Sequence, residues 1–265
     1  MGKRERYEPG TFCWVDLATT DPAGARTFYG ELFGWDAEEA PEGEAWGYAM
    51  MSLDGDVVCG VYELEAERRE EGVAPHWFNC VSVEDADAVA DRANLLGGDS
   101  LGGAFDVPGL GRMAVLQDPA GAVLGAWQPG SHVGATRVND VGCMTWNELH
   151  TREPERMAAF YAELFRWEME AQTEDGTLAY VVIKNAGNSN GGIMPMTEQH
   201  GDHGDVPPFW LTYFTVSSCE DAVARTRELG GEVVTGPMDV GAGRIAVLTD
   251  PQGAAFAVFE GETDD

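Results

Sequence analysis

Basic residues are scarce in this 265-residue chain: 16 Lys and Arg stand against 46 Asp and Glu, for a formal charge of -30. A field of that sign repels phosphate backbones and anionic headgroups, so neither nucleic acid nor a membrane surface is expected as a partner. No apolar run approaches the length that crosses a bilayer, and the opening Met-Gly-Lys-Arg-Glu-Arg-Tyr-Glu-Pro lacks the apolar core of a signal peptide. The expectation is a soluble, cytoplasmic protein. Cysteine is sparse and unpatterned. Cys13, Cys59, Cys80, Cys143 and Cys219 are odd in number and show no C-x-x-C spacing, which argues for buried free thiols in a reducing compartment. Cys13 and Cys80 have no evident partner base, so a nucleophilic thiol is not expected. Phosphate-binding loops are missing too: no Gly-Lys-Ser/Thr occurs, and Gly109-Leu-Gly111 is followed by Arg-Met-Ala without the third glycine of a dinucleotide fingerprint.

What is present is a repetition. Phe12-Cys-Trp-Val-Asp-Leu-Ala-Thr-Thr-Asp-Pro, with Phe28-Tyr-Gly-Glu-Leu-Phe-Gly-Trp35 after it, returns as Met144-Thr-Trp-Asn-Glu-Leu-His-Thr-Arg-Glu-Pro and Phe160-Tyr-Ala-Glu-Leu-Phe-Arg-Trp167. Trp14 maps to Trp146, Trp35 to Trp167 and Tyr48 to Tyr180, each 132 positions apart, and Asp118-Pro-Ala-Gly121 recurs as Asp250-Pro-Gln-Gly253. A unit of about 120 residues is too long for a solenoid repeat and fits a duplicated domain. Positions where the copies differ become the candidates for function.

Each half reads as two strand-helix-strand groups. Residues 12–19 alternate; Asp21-Pro22 supplies an N-cap with proline at the first helical position; Ala25, Phe28, Tyr29, Leu32 and Phe33 follow at helical spacing; Gly34 stands where a left-handed cap ends the helix. Strands over 46–53 and 57–64 flank the turn Asp54-Gly55, with a charged, solvated connection from Glu63 to Glu71. The second group starts at Trp77-Phe-Asn-Cys-Val-Ser-Val83, continues through a helix over 85–96 ending at Gly97-Gly98, and closes with strands near 112–117 and 122–127 around Asp118-Pro-Ala-Gly121. Residues 129–142 carry breakers without periodicity and read as a linker between domains at 11–128 and 143–260.

An Asp-Pro-started helix bearing Phe-Tyr and Leu-Phe-Gly-Trp, followed by Asp-Pro-x-Gly before a final strand, resembles the vicinal oxygen chelate superfamily, which holds glyoxalase I, extradiol dioxygenases, fosfomycin-modifying enzymes and bleomycin resistance proteins. The resemblance covers nearly all of 11–260 and is closest to the tandem glyoxalase-like proteins of actinobacteria. It implies an α+β fold: two tandem domains, four βαβββ units, two cup-shaped mixed sheets and helices outside. It also implies that the tandem chain, equivalent to a single-domain dimer of the family, is a monomer or weak homodimer. Members that use a metal take ligands from the first and last strands of each unit. That frame places Trp14, Gly60, Phe78 and Gly125 in the first half, and Trp146, Gly192, Leu211 and Ala257 in the second, at the ligand positions. None of these side chains ligates a divalent cation, so neither a metal nor another cofactor is expected.

Alternate residues of a strand share a face. If Trp14 points into its cup, so does Asp16; in the second half Trp146, Glu148 and His150 form one inward row. Burial beside indole is expected to raise such carboxylates toward neutrality and suit Asp16, Glu148 and His150 to acid/base work. Hydrogen bonds to a neighbouring strand, or a watery rim, are the structural alternative for the same groups. Trp14, Trp46, Tyr48, Tyr62, Phe78, Trp127, Trp146, Tyr180, Tyr213 and Phe259 fall on expected strands, as core or as walls for a flat aromatic ligand. His200 and His203, in Glu198-Gln-His-Gly-Asp-His-Gly-Asp205, read as part of a polar loop, with binding of a stray metal as the alternative. Three functions stay open: a metal-independent tailoring enzyme acting on an aromatic, polyketide-like molecule, a non-catalytic binder that sequesters an aromatic antibiotic, and a metal-dependent glyoxalase or dioxygenase.

Overall fold

The computed structural model describes residues 2–39, 47–197 and 206–263; Trp46, His200 and His203 lie outside them. In the first half the order is β1 (Phe12–Thr19), α1 (Pro22–Phe33), β2 (Asp36–Glu39), β3 (Ala49–Leu53), β4 (Asp56–Glu63), α2 (Ala66–Glu70), β5 (His76–Ser82), α3 (Ala86–Leu95), β6 (Asp99–Val107), β7 (Gly111–Gln117) and β8 (Val123–Pro129). The second half runs β9 (Met144–Thr151), α4 (Pro154–Phe165), β10 (Glu168–Glu174), β11 (Thr177–Asn185), β12 (Asn188–Pro195), β13 (Phe209–Thr215), α5 (Cys219–Glu228), β14 (Glu232–Asp239), β15 (Gly243–Thr249) and β16 (Ala255–Gly261). Each half contributes one mixed eight-stranded sheet, ordered β2-β3-β4-β1-β5-β8-β7-β6 and β10-β11-β12-β9-β13-β16-β15-β14. Each cup is therefore built within one half, a point the repeat alone left open.

The local signals act as their chemistry dictates. The Asp21 carboxylate accepts from the Gly24 N–H at 3.0 Å to cap α1, and Gly34 ends it at φ 79°. Arg166 takes the same left-handed place after α4 at φ 62°, tolerated without glycine. Two differences from the sequence reading are physical. The charged 63–71 connection contains the short helix α2, which buries nothing. Strands β2 and β6 had no readable period, because both are sheet edges; β6 is largely exposed and breaks register around Gly102 and Gly103, which sit at φ 84° and 75°.

The halves share their cores. One apolar cluster joins Trp14, Tyr29, Phe33, Trp35 and Trp77 to Phe214 and Phe256; the other joins Phe12 and Leu116 to Tyr161, Trp167 and Trp210. The Asp-Pro-x-Gly turns explain this exchange. Asp118 Oδ1 accepts three backbone N–H groups of its own turn at 2.8–2.9 Å, while Oδ2 accepts the Tyr161 hydroxyl of the other half at 3.0 Å. Reciprocally, Tyr29 donates to Asp250 Oδ2 at 3.2 Å. Each tyrosine oxygen also receives an indole N–H, from Trp77 or Trp210. The aromatics at helical spacing, Phe28, Tyr29 and Phe33 with their counterparts Phe160, Tyr161 and Phe165, are core, and the two tyrosine hydroxyls lock the halves together.

Candidate functional site

In the first cup Asp16 lies between Gly60 of β4 and Phe78 of β5 in the ladder, facing the same way as Trp14 two residues earlier. Its Oδ1 accepts the Trp14 indole N–H at 2.9 Å and the Tyr48 hydroxyl at 2.7 Å. Among the described residues nothing donates to Oδ2. Burial raises the Asp16 carboxyl from its usual 3.8 to about 6, and the bonds from Tyr48 and Trp14 only partly oppose it. Tyr62 stacks on Tyr48 with centroids 6.4 Å apart. Trp127 meets His132, a residue of the expected linker, at 5.8 Å and donates to its carbonyl at 2.9 Å.

The second cup contains a denser polar group. Glu148 is 4% exposed; its Oε2 accepts the Tyr180 hydroxyl at 2.6 Å and its Oε1 accepts the Tyr213 hydroxyl at 2.8 Å. His150 Nε2 lies 2.9 Å from Oε1, too oblique for a good hydrogen bond, and both ring nitrogens of His150 are buried without another partner. The indole of Trp146 donates to the Tyr180 oxygen at 3.0 Å. Burial is the largest influence on Glu148 and pushes its carboxyl upward, yet His150, Tyr180 and Tyr213 together outweigh it and hold the group below the ordinary range. This corrects the expectation that burial would carry both carboxylates toward neutrality: three partners reverse the sign at Glu148, two do not at Asp16. Burial and the adjoining carboxylates push the hydroxyls of Tyr48, Tyr180 and Tyr213 far up, so they remain donors.

Around this group, Phe209 stacks on His150 at 4.8 Å and 9°, and Trp146, Phe259, Ile245, Val247 and Ala255 pack against Leu211, Tyr213 and Ala257 as an apolar wall. Phe209 and His132 were not among the sequence candidates. Phe209 begins β13 directly opposite His150, a pairing visible only once the register is known. His132 had no periodicity to point to it.

The glycines at family ligand positions turn out to be occupied from next door. A Cβ at Gly192 would fall 1.8 Å from the Tyr180 oxygen; one at Gly60 would fall 2.0 Å from the Tyr48 oxygen and 2.2 Å from Asp16 Oδ1. A ligand side chain and the tyrosine cannot coexist there. The remaining ligand positions carry indole, phenyl, leucine, glycine and alanine, and among the described residues no three His, Cys, Asp or Glu side chains come together to hold an ion. The donor set does not fit the divalent metal of the fold.

Two stretches, 11–125 and 144–258, match the Glyoxalase/Bleomycin resistance protein/Dioxygenase superfamily. The chain belongs to this superfamily. It is 38% identical over 264 residues to CFP32 of Mycobacterium tuberculosis (strain CDC 1551 / Oshkosh), with 98% of each chain covered. It is 34% identical over 265 residues to the anthracycline biosynthesis protein DauV of Streptomyces sp. (strain C5), covering 96% of this chain and 94% of that one. In fold it is similar to the 2,3-dioxygenase LapB from Pseudomonas sp. KL28, with a TM-score of 0.67, 12% identity, and 97% and 94% of the two chains covered. This vicinal oxygen chelate member thus has relatives in antibiotic biosynthesis. No helix among its described residues is long and apolar enough to cross a membrane.

Proposed function

We propose that this protein is a metal-independent tailoring enzyme that moves protons on an aromatic, polyketide-like small molecule, in a step such as cyclisation, ketal formation, dehydration or isomerisation. The observation that carries the reading is the Glu148–His150 pair inside an apolar, aromatic wall. An ionised carboxylate beside Nε2 keeps the ring proton on that nitrogen and leaves Nδ1 to accept or return a proton, the logic by which an acid orients a histidine base. Trp146, Tyr180, Tyr213 and Phe259 hold the flat substrate by burial and stacking. In the first cup Asp16, whose carboxyl titrates near neutrality, serves as a second proton-transfer group with Trp14, Tyr48, Tyr62, Phe78 and Trp127 as its wall. Similarity to DauV supports an anthracycline-type substrate class. Metal independence rests on the ligand positions themselves: tyrosine takes the space at Gly60 and Gly192, and the other six positions carry no imidazole or carboxylate. The protein acts in the cytoplasm as a monomer or weak homodimer.

The test is turnover of aromatic polyketide aglycones, followed by mass spectrometry, with wild type, E148Q and H150N, before and after exhaustive chelation. Activity that survives chelation and collapses in both variants is expected. Unchanged turnover in H150N and E148Q removes the assignment, and activity that returns only with added metal removes metal independence. One observation favours a second reading, a sequestering binder: both oxygens of Glu148 are already engaged by protein donors. Recovery of a bound aromatic compound chemically unchanged would select it.

A further inference from the structure

The two cups are built alike and filled differently. Trp14 and Trp127 are each 4% exposed, whereas their counterparts Trp146 and Phe259 are half-buried. The difference comes from the 129–142 segment. It returns from β8 across the first cup: the His132 N–H donates to the Leu110 carbonyl, the Ala135 N–H to the Cys13 carbonyl and the Thr136 N–H to the Val57 carbonyl. Gly134, at φ 113°, lies so close to β1 that a Cβ would stand 2.4 Å from the Cys13 oxygen. The Tyr7 hydroxyl fastens the same segment through the Ala135 carbonyl at 2.6 Å. Held this way, the His132 ring meets Trp14 edge-on with centroids 4.5 Å apart and Trp127 at 5.8 Å. Those are ordinary aromatic pair distances, the contacts a flat ligand would make. Burial lowers the imidazole to about 4, so it sits there uncharged, with Nε2 enclosed and unpartnered.

We infer that His132 is the resident ring of the first cup, a tethered side chain in the place of an aromatic ligand, so that the chain offers one ring-binding cup rather than two, the second. This rests on the reading that the cups take aromatic rings, and it assigns ligand capacity to the cup that holds Glu148 and His150. The Asp16 group then acts only on what enters beside His132.

The test uses the full chain labelled with 5-fluorotryptophan, its signals assigned by single Trp→Phe replacements, and imidazole as probe. In wild type, imidazole leaves the Trp14 and Trp127 signals unmoved, and a soluble nitroxide broadens Trp146 while sparing both. In H132G, or in the milder H132A, imidazole enters the vacated space and shifts Trp14 and Trp127 saturably. A wild-type Trp14 signal that responds to imidazole, or is broadened as strongly as Trp146, overturns the inference; so does a folded H132A whose Trp14 ignores imidazole. Should neither variant fold, the wild-type nitroxide comparison decides. No arm involves turnover, so failure here is separate from failure of the catalytic reading, which H150N tests.

Discussion

Gly192→Ala isolates the exchange of ligand for hydroxyl. The new Cβ would fall 1.8 Å from the Tyr180 oxygen and 2.3 Å from its Cζ, contacts no packing tolerates, so the ring must leave. Its departure breaks the 2.6 Å bond to Glu148 and the 3.0 Å bond from Trp146. A hydrogen bond to a charged acceptor contributes about 1.5–3 kcal/mol and forced repacking costs about 1–3 kcal/mol, so the variant should lose roughly 3–5 kcal/mol of stability. In a Tyr180→Ala background the obstacle is gone. There the same substitution should be neutral or gain about 0.5 kcal/mol, because alanine in a strand has less chain entropy to lose than glycine. Urea unfolding of wild type, both single variants and the double variant yields the coupling, expected at about 3 kcal/mol or more. A Gly192→Ala cost that is the same in both backgrounds would refute the argument that Tyr180 fills the ligand position.

The two carboxylates should respond to pH with opposite signs. For Asp16 the folded carboxyl is raised, so the unfolded chain holds fewer protons between about pH 4 and 6; stability falls as pH rises through that window, by about 3 kcal/mol for a rise from 3.8 to about 6. D16N keeps an oxygen for Trp14 and Tyr48, so its urea midpoint above pH 6 should exceed that of wild type, the difference vanishing near pH 4. For Glu148 the folded carboxyl is depressed, so its contribution is present above the unfolded value and is lost as pH falls through the folded one. E148Q should destabilise at pH 7, with the deficit shrinking toward acid; a stabilising E148Q would contradict the three-partner account. Tyr161→Phe removes the donor to Asp118 and the acceptor for Trp210, and should cost about 2–3 kcal/mol by urea denaturation. Because that bond joins the halves, calorimetry of wild type should show one transition, and two resolved transitions would show that the interlock does not couple them.

Legibility followed periodicity. The two-residue period of a strand put Trp14 and Asp16 on one face of β1, which is buried along its whole length, and Trp146, Glu148 and His150 on one face of β9. Asp21-Pro22, Gly34 and Asp54-Gly55 mark chain turns by fixed stereochemistry, so α1 and the β3–β4 hairpin lay close to where they were expected. Edge strands such as β6 escaped because exposure on both faces removes alternation. The site was legible in membership and not in energetics. Whether a buried carboxylate rises or falls depends on the number of donors within reach, and Tyr180 and Tyr213 come from strands 32 and 65 residues away. His132 was hidden for a related reason: its neighbours Trp14 and Trp127 are set by where the linker returns, and no spacing encodes that.

Three positions separate the two halves chemically: Asp16 against Glu148, Cys80 against Tyr213 opposite the cup tryptophan, and Ala18 against His150. Asp16 is short, so its Oδ1 sits within reach of its own strand's indole, and Trp14 donates to it directly beside the Tyr48 hydroxyl. Glu148, one carbon longer, passes beyond Trp146, whose indole turns to the Tyr180 oxygen instead, and reaches Tyr213 and His150 across β13 and along β9. The same glycine-for-ligand exchange lies beneath both, since Gly60 and Gly192 each yield their space to a tyrosine. A single restored ligand at 192 would therefore collide with Tyr180 before it met a metal. The common exchange leaves no room for a ligand side chain at either glycine; the longer carboxylate, with Tyr213 and His150 to meet it, is held ionised beside a histidine, whereas Asp16 with two donors is raised toward neutrality.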